Sequence, residues 1–288
     1  MSVISASGLR GNLVPFIIEV KTDNTGTSNN DQFQFTGAVG DYDVVAKQGG
    51  VIVDTFNDLS DEATITFSDG AGTYILEVTR KAPNPFNQIQ FNESGDVDKI
   101  TDLKQWGTIV WSSFENAFNG CENMTVSATD IPNLSNVTNI SKMFRNATLA
   151  NPNATNWYVS NVTNMNLMFI NSAFNRNINN WDVGNVTDMG GIFINLTLFN
   201  QPLNNWDVSN VTNMASMFGG TSSFNQPLNS WDVSSVTNMG GMFALSTAFN
   251  QDLSGWCVTN IASEPNNFDF GTDAWVLPNS RPIWGTCP

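Results

Sequence analysis

Three aspartates, Asp182, Asp207 and Asp232, each directly follow a tryptophan and recur at intervals of 25 residues. Carboxylates in register on neighbouring strands would stand about 4.8 Å apart, close enough to repel, to raise one another's pKa or to recruit a cation. Separations of about 5–9.5 Å would also suit a two-carboxylate glycosidase. That chemistry needs one carboxyl to be acid while the other is base, and a flat ladder has no pocket to divide the roles. The expected role is therefore structural, with each Asp bonded to nearby backbone N–H groups, and cation or glycan contact is the alternative. Asn180, Asn205 and Ser230 precede the same tryptophans and would line the same face. No catalytic, cofactor-binding or dedicated metal residue is assigned. The chain has no histidine, which removes Ser–His and Cys–His nucleophile pairs, imidazole bases and His-ligated zinc.

Other candidates are weaker still. Cys121, Cys257 and Cys287 show no CxxC spacing. Cys257 and Cys287 can form one bridge, and Cys121 reads as a small buried hydrophobe. The pairs Met165/Met168, Met214/Met217 and Met239/Met242 fall beside phenylalanines and read as core, not metal ligands. Asn175, Asn200, Asn225 and Asn250, each after a phenylalanine, can bond the turn backbone of the neighbouring unit. The loops carrying Asp41/Asp43 and Asp58/Asp61/Glu62 could hold calcium, although solvated turns are the expected state. Asn-X-Thr triplets at Asn136, Asn161, Asn185 and Asn210 recur with the repeat and carry no weight as glycosylation sites. No Walker loop, dinucleotide fingerprint or nucleophile elbow is present.

What positions these residues is a repeat. Trp157, Trp181, Trp206, Trp231 and Trp256 are 24, 25, 25 and 25 residues apart, and Phe144, Phe169, Phe193, Phe218 and Phe243 keep step with them. Phe174, Phe199, Phe224 and Phe249 form a third series. Within residues 199–224, Leu203-x-x-Trp206-x-Val208 predicts a short strand. Val211, Met214, Met217 and Phe218 then predict a short helix or 3-10 segment, capped by Ser209 or Asn210. One coil cannot bury these rings alone, so the units stack as a solenoid. Trp106, Trp111, Phe114, Phe118, Cys121 and Met124 read as a degenerate first coil. Residues 257–288, with Phe268, Phe270, Trp275 and Trp284, read as a C-terminal cap.

Residues 200–256, with NQPLNNWDVSNVTNM, MF and FNQPLNSWDVSSVTNM, resemble the repeats of BspA-like, leucine-rich-like surface proteins. That repeat occurs in mycoplasma-type lipoproteins, in marine bacteria and in their viruses. The likeness spans roughly residues 100–288. It implies surface recognition or adhesion and carries over no catalytic residues. There is no lipobox cysteine, and residues 1–10 lack a basic region followed by an apolar one, so neither a lipoprotein anchor nor a secretory leader is expected.

Residues 1–80 read differently. Leu13–Val20, Gln32–Phe35, Tyr42–Ala46, Val51–Thr55, Ala63–Phe67 and Thr73–Val78 are short apolar or alternating runs between Gly/Asn/Asp/Ser turns, which predicts an Ig-like β-sandwich. Residues 81–99 follow as a linker broken by two prolines, and 100–256 as the solenoid. The fold class is thus mostly β with short helical segments.

The 288 residues carry 26 Asp+Glu against 11 Lys+Arg, a net charge of −15. No Lys or Arg lies between Arg176 and Arg281, so a nucleic-acid partner is not expected. No apolar run reaches the ~20 residues of a membrane span, so no membrane insertion is expected either. The leading expectation is a non-enzymatic virion surface structural protein without cofactors, a capsid decoration or a fibre or tail component. Its N-terminal unit would dock onto other virion proteins or copies of itself, and its solenoid would meet a host-surface glycan or protein. The alternative is an exported bacterial cell-surface adhesin.

Overall fold

The computed structural model describes residues 13–276 and 280–288. The N-terminal decapeptide read above for a leader, and residues 277–279 of the expected cap, lie outside them. The fold is mostly β. Helix among the described residues is confined to one 3-10 turn, Val97–Lys99.

All six predicted N-terminal runs are strands: β1 (Phe16–Lys21), β2 (Gln32–Gln34), β3 (Asp41–Gln48), β4 (Val51–Ser60), β5 (Thr64–Thr66) and β6 (Thr73–Arg80). Strict alternation turns Tyr42, Val44 and Ala46 of β3 and Tyr74, Leu76 and Val78 of β6 into the core. β7 (Ile100–Gln105) and β8 (Thr125–Val126) complete a six-stranded sheet of order β4-β3-β6-β1-β7-β8. The sheet is mixed, because β7 and β8 run parallel while the other pairs are antiparallel. β2 and β5 form a separate antiparallel pair.

Residues 81–99 are not a free linker. Phe86, Ile89 and Phe91 are fully buried, Gln88 bridges Val39, and Phe86 packs on Phe16 and Trp111. The Lys99 ammonium is also buried. It donates to the carbonyls of Ser28 (3.1 Å), Asn29 (2.8 Å) and Gln32 (3.0 Å) and to Ser28 Oγ (2.8 Å). Buried Asp96 stands 3.7 Å away and accepts from Ser28 N and Gln34 N. Burial pulls the Lys99 pKa below its ordinary value, and Asp96 opposes that pull.

Beyond residue 105 the chain repeats, and each unit contacts the next. Parallel bridges join Asn139, Asn164, Asp188, Asn213 and Asn238 in succession. Trp181, Trp206 and Trp231 lie near-parallel at 6.4 Å between centroids. Each indole N–H of Trp181, Trp206, Trp231 and Trp256 donates to a carbonyl of the preceding unit at 2.9–3.0 Å. Perpendicular rings end the parallel columns: Trp106 on Trp157 at one end, Trp275 on Phe243 and Phe249 at the other. Phe268 and Trp275 are buried, but Phe270 remains 63% exposed.

Two local expectations fail. The strand expected over Leu203–Val208 does not form: Trp206 and Val208 are buried and Asp207 exposed as in a strand, but no strand pairs with them, and the bridge forms at Asn213. The segment from Val211 to Phe218 is not helical either. Every unit holds two residues in the left-handed region four apart, as at Leu167 (φ 56°) and Asn171 (57°), Gly191 (64°) and Asn195 (60°), and Ser216 (53°) and Gly220 (69°). An α-helix needs negative φ throughout, so the apolar period comes from consecutive turns instead. At Gly220 a Cβ would fall 2.3 Å from Asn195 Oδ1, so a larger residue there requires that side chain to move.

Alternate residues then divide their bonds. Met217, Gly219 and Thr221 donate back to Met214, Ser216 and Phe218 within the unit, while Met214, Ser216, Phe218 and Gly220 donate forward to Asn238, Gly240, Met242 and Ala244 at 2.7–2.9 Å. The carbonyls of Asn213, Ala215, Met217 and Gly219 accept from Met189, Gly191, Phe193 and Asn195 of the unit before. Four peptide groups per unit therefore point the same way. The acceptor end of the columns is closed by the N–H groups of Phe91, Asn92 and Glu93, bonded to Ala117, Asn116 and Asn119. At the donor end the N–H groups of Asn267, Asp269 and Gly271 have no partner among the described residues.

Hydrogen exchange should follow this division. The amides of Ser216, Phe218 and Gly220 are expected to exchange only with global opening, and those of Asn267, Asp269 and Gly271 at near-unprotected rates; equal protection would contradict the one-way columns. Lys99→Met should lower stability by about 3–5 kcal/mol in urea titrations, because it strands a buried carboxylate and three carbonyls. A loss below about 1 kcal/mol would show that the caged ammonium is dispensable.

Candidate functional site

Asp182, Asp207 and Asp232 are all exposed and stand in one column, as the repeat requires. Asp182 Oδ1 and Asp207 Oδ2 flank Gly184, 3.5 and 3.7 Å from its Cβ direction. Their bonds are local. Asp182 accepts from Gly184 N (3.3 Å), Asp207 from Ser209 N (3.1 Å) and Oγ (2.6 Å), and Asp232 from Ser234 N (3.0 Å). Each closes an Asx turn over the residue two further on. The serine hydroxyl and N–H hold Asp207 and Asp232 below the usual aspartate pKa, with Asp207 opposing slightly at Asp232. Asp207 and Asp232 are therefore charged at neutral pH, and neither is arranged as a proton donor.

The Asn column after the phenylalanines bonds between units. Asn200 Oδ1 accepts from Asn225 N (3.0 Å), and Asn225 Oδ1 from Asn250 N (2.9 Å). Gln226 and Gln251 reach back to the same oxygens. Sequence reasoning passed over a second polar column at the bridge positions. There Asn164, Asp188, Asn213 and Asn238 each accept the N–H two residues on, at 2.9–3.2 Å. Its signal is the Asn or Asp that follows each Val-Thr pair of the repeat. Beside it Thr163, Thr187, Thr212 and Thr237 are exposed, and each hydroxyl donates to the carbonyl of the preceding Thr at 3.1–3.3 Å.

The acidic loops are already bonded. Asp43 accepts from Asp58 N and Lys81 Nζ, Lys81 also bonds Asp58, Asp61 accepts from Gly40 N, and Glu62 from Gly37 N. Among the described residues no group of three or more His, Cys, Asp or Glu is placed to hold a metal ion. Cys257 and Cys287 form a disulfide, and Cys121 is a buried free thiol whose pKa desolvation drives upward.

Two units depart from the acidic column. After Trp256 the Asp position holds Cys257, which is tied into the disulfide; after Trp157 it holds Tyr158, 75% exposed, beside a cleft of about 440 Å³ that also involves Ile131, Leu134 and Ser160. In the sequence this tyrosine follows Trp157 where Asp follows Trp181, Trp206 and Trp231.

A stack held by backbone columns, with polar side chains repeating outward, accords with the one comparison that returns a match. Residues 112–195 and 170–274 match the family described as "Mycoplasma protein of unknown function, DUF285". The chain belongs to the DUF285 family. The DUF285 match covers more than half of the sequence and fits a BspA-like repeat protein. It begins beyond β7, so β1–β7 lie outside it. No curated protein and no solved structure matches the chain.

If Asp207 is an Asx-turn acceptor, NMR titration should place its midpoint below the ordinary aspartate value of about 3.9, and Ser209→Ala should move it upward. Because the folded pKa is depressed, the stabilisation is present above the unfolded value and fades as pH falls through the folded one. Asp207→Asn keeps the acceptor oxygen, so the melting temperature should change little. An elevated midpoint would instead point to a proton-donating carboxyl.

Proposed function

We propose that this DUF285 protein is a non-enzymatic surface protein. In this reading the N-terminal sheets act as an Ig-like sandwich that docks onto an assembly or a second copy. The repeats form a leucine-rich-like solenoid that meets a glycan or protein on a host surface. The observation that carries it is the outward grid of Asn, Thr, Ser and Asp side chains, fixed in register by the backbone. Such a surface offers many fixed hydrogen-bonding groups and no convergent acid–base pair. The absence of Lys and Arg between Arg176 and Arg281 argues against a nucleic-acid ligand. No helix of the described residues is long and apolar enough to cross a membrane.

The first setting is the virion surface, as a capsid decoration or part of a fibre or tail. A protein released by lysis needs no export route. The second is the bacterial cell surface, as an exported adhesin. The Cys257–Cys287 bridge favours it, because disulfides persist mainly in oxidising compartments.

Mass spectrometry of density-purified cell-free particles against washed cell envelopes separates the settings. Stoichiometric recovery in particles is the expected result. Recovery in envelopes alone overturns the virion setting in favour of the adhesin, and recovery only in the cytosol overturns surface display. Alkylation of the denatured, unreduced protein should label one thiol, Cys121, where the bridge has formed.

A further inference from the structure

The cleft at Tyr158 differs from the rest of the repeat surface. In the unit containing Asp207, the aspartate takes both the N–H and the hydroxyl of Ser209. Where Tyr158 replaces that aspartate, Ser160 has lost its acceptor, and its hydroxyl has no partner among the described residues. The Tyr158 and Ser135 hydroxyls and Asn161 Oδ1 likewise have no partner among the described residues, while Asn161 Nδ2 is committed to Ser135 O at 2.8 Å. The floor is apolar: Pro132 and Leu134 are buried, and Ile131 forms a half-open wall, 39% exposed.

An exposed aromatic face, a small apolar recess and several unpaired hydroxyl and amide groups suit a ligand with one apolar face and a polar rim. The volume of about 440 Å³ fits one or two sugar rings. Asp182 is next in the same column, and the chain carries −15 overall, so an anionic sugar would meet repulsion. We propose that this cleft binds an uncharged N-acetylhexosamine unit of a surface glycan. The ring face lies on Tyr158, the acetyl methyl sits against Ile131 and Pro132, and the hydroxyls bond to Ser135, Ser160 and Asn161. This names the ligand class for the recognition reading above and rests on it.

The chain has three tyrosines, and Tyr42 and Tyr74 are fully buried. In the full chain labelled with 3-fluorotyrosine, Tyr158 is therefore the one fluorine reporter that a surface ligand can touch. Titration with N,N′-diacetylchitobiose should shift that resonance alone, with a midpoint of about 1 mM, ordinary for a small shallow site. Cellobiose, which lacks the acetyl groups, should bind at least fivefold more weakly. Ile131→Asp and Ser160→Ala should each weaken chitobiose fivefold or more at unchanged melting temperature. Tyr158→Asp restores the residue that the repeat favours, so it should fold normally and lose binding by saturation-transfer NMR. Equal response to cellobiose overturns the acetyl recess. A response to hexaproline but not to chitobiose overturns the sugar in favour of a peptide, and silence with all probes overturns the site. None of these results changes the particle-against-envelope measurement, so the site and the surface reading fail separately.

Discussion

The rest of the repeat region depends on the direction of its peptide groups. In an ordinary parallel sheet, successive amides of a strand alternate between neighbours on either side. Here the left-handed residues at two positions per unit, such as Ser216 and Gly220, turn every second peptide so that N–H points forward and C=O points back. The remaining amides are used inside the unit in three-residue turns. That arrangement satisfies the backbone of a nearly strandless coil, which would otherwise carry buried unpaired groups at about 1–3 kcal/mol each. A left-handed non-glycine residue costs roughly 1–2 kcal/mol, and the three or four forward bonds at each junction offset it. The columns also fix the registration of the side chains. Near-parallel tryptophans 6.4 Å apart follow from that registration, since neither ring can slide without breaking the indole bonds to the preceding unit.

Much of this was legible in the sequence, and what was not has a definite cause. The six N-terminal strands were readable because alternation there is clean and turn residues bound each run. The registered tryptophan and phenylalanine series likewise revealed stacking before any coordinate. The helix reading failed because apolar residues at i, i+3 and i+7 are as natural to consecutive three-residue turns as to a helix. The distinguishing signal was the conformation-tolerant residue at fixed positions: Asn146, Asn171, Asn195 and Gly220 in one column, Gly191 and Gly241 in the other. Lys142, Leu167, Ser216 and Leu245 occupy the same conformation and blurred it. The strand at Trp206–Val208 failed for a different reason. Burial alternates there, but alternation reports which side chains face the core, not whether a neighbouring backbone is available to pair. The burial within residues 81–99 is hard to read in the sequence because two prolines outweigh Phe86, Ile89 and Phe91, the three apolar residues that pack there.

Polar side chains in this protein mostly serve the backbone. The aspartates that looked most chemical are Asx-turn acceptors, and the asparagines after the phenylalanines tie one unit to the next. Repetition explains this economy. A residue needed to close a turn is needed in every unit, so recurrence at 25 residues signals a structural demand. The repeated grid offers a general hydrogen-bonding surface, and a single specific site on it is better sought where a unit breaks the pattern and nothing local compensates.

Tyr158 meets that criterion more fully than other irregular positions. Gly184 stands where Ser209 and Ser234 stand, yet its N–H is still taken by Asp182, so the turn is kept. At Tyr158 the carboxylate, the Asx bond and the hydroxyl bond are all absent, and a large ring is placed in water. The same unit leaves the buried Trp157 indole N–H unpaired, whereas the four later tryptophans are bonded. Each departure weakens the local network, and none adds burial, since Tyr158 is three-quarters exposed. A cost in local structure with no gain in packing is the pattern expected where a surface is kept for a ligand. The cleft beside this tyrosine is therefore where the repeat's structural logic stops accounting for the residues present, and where the proposed glycan contact is placed.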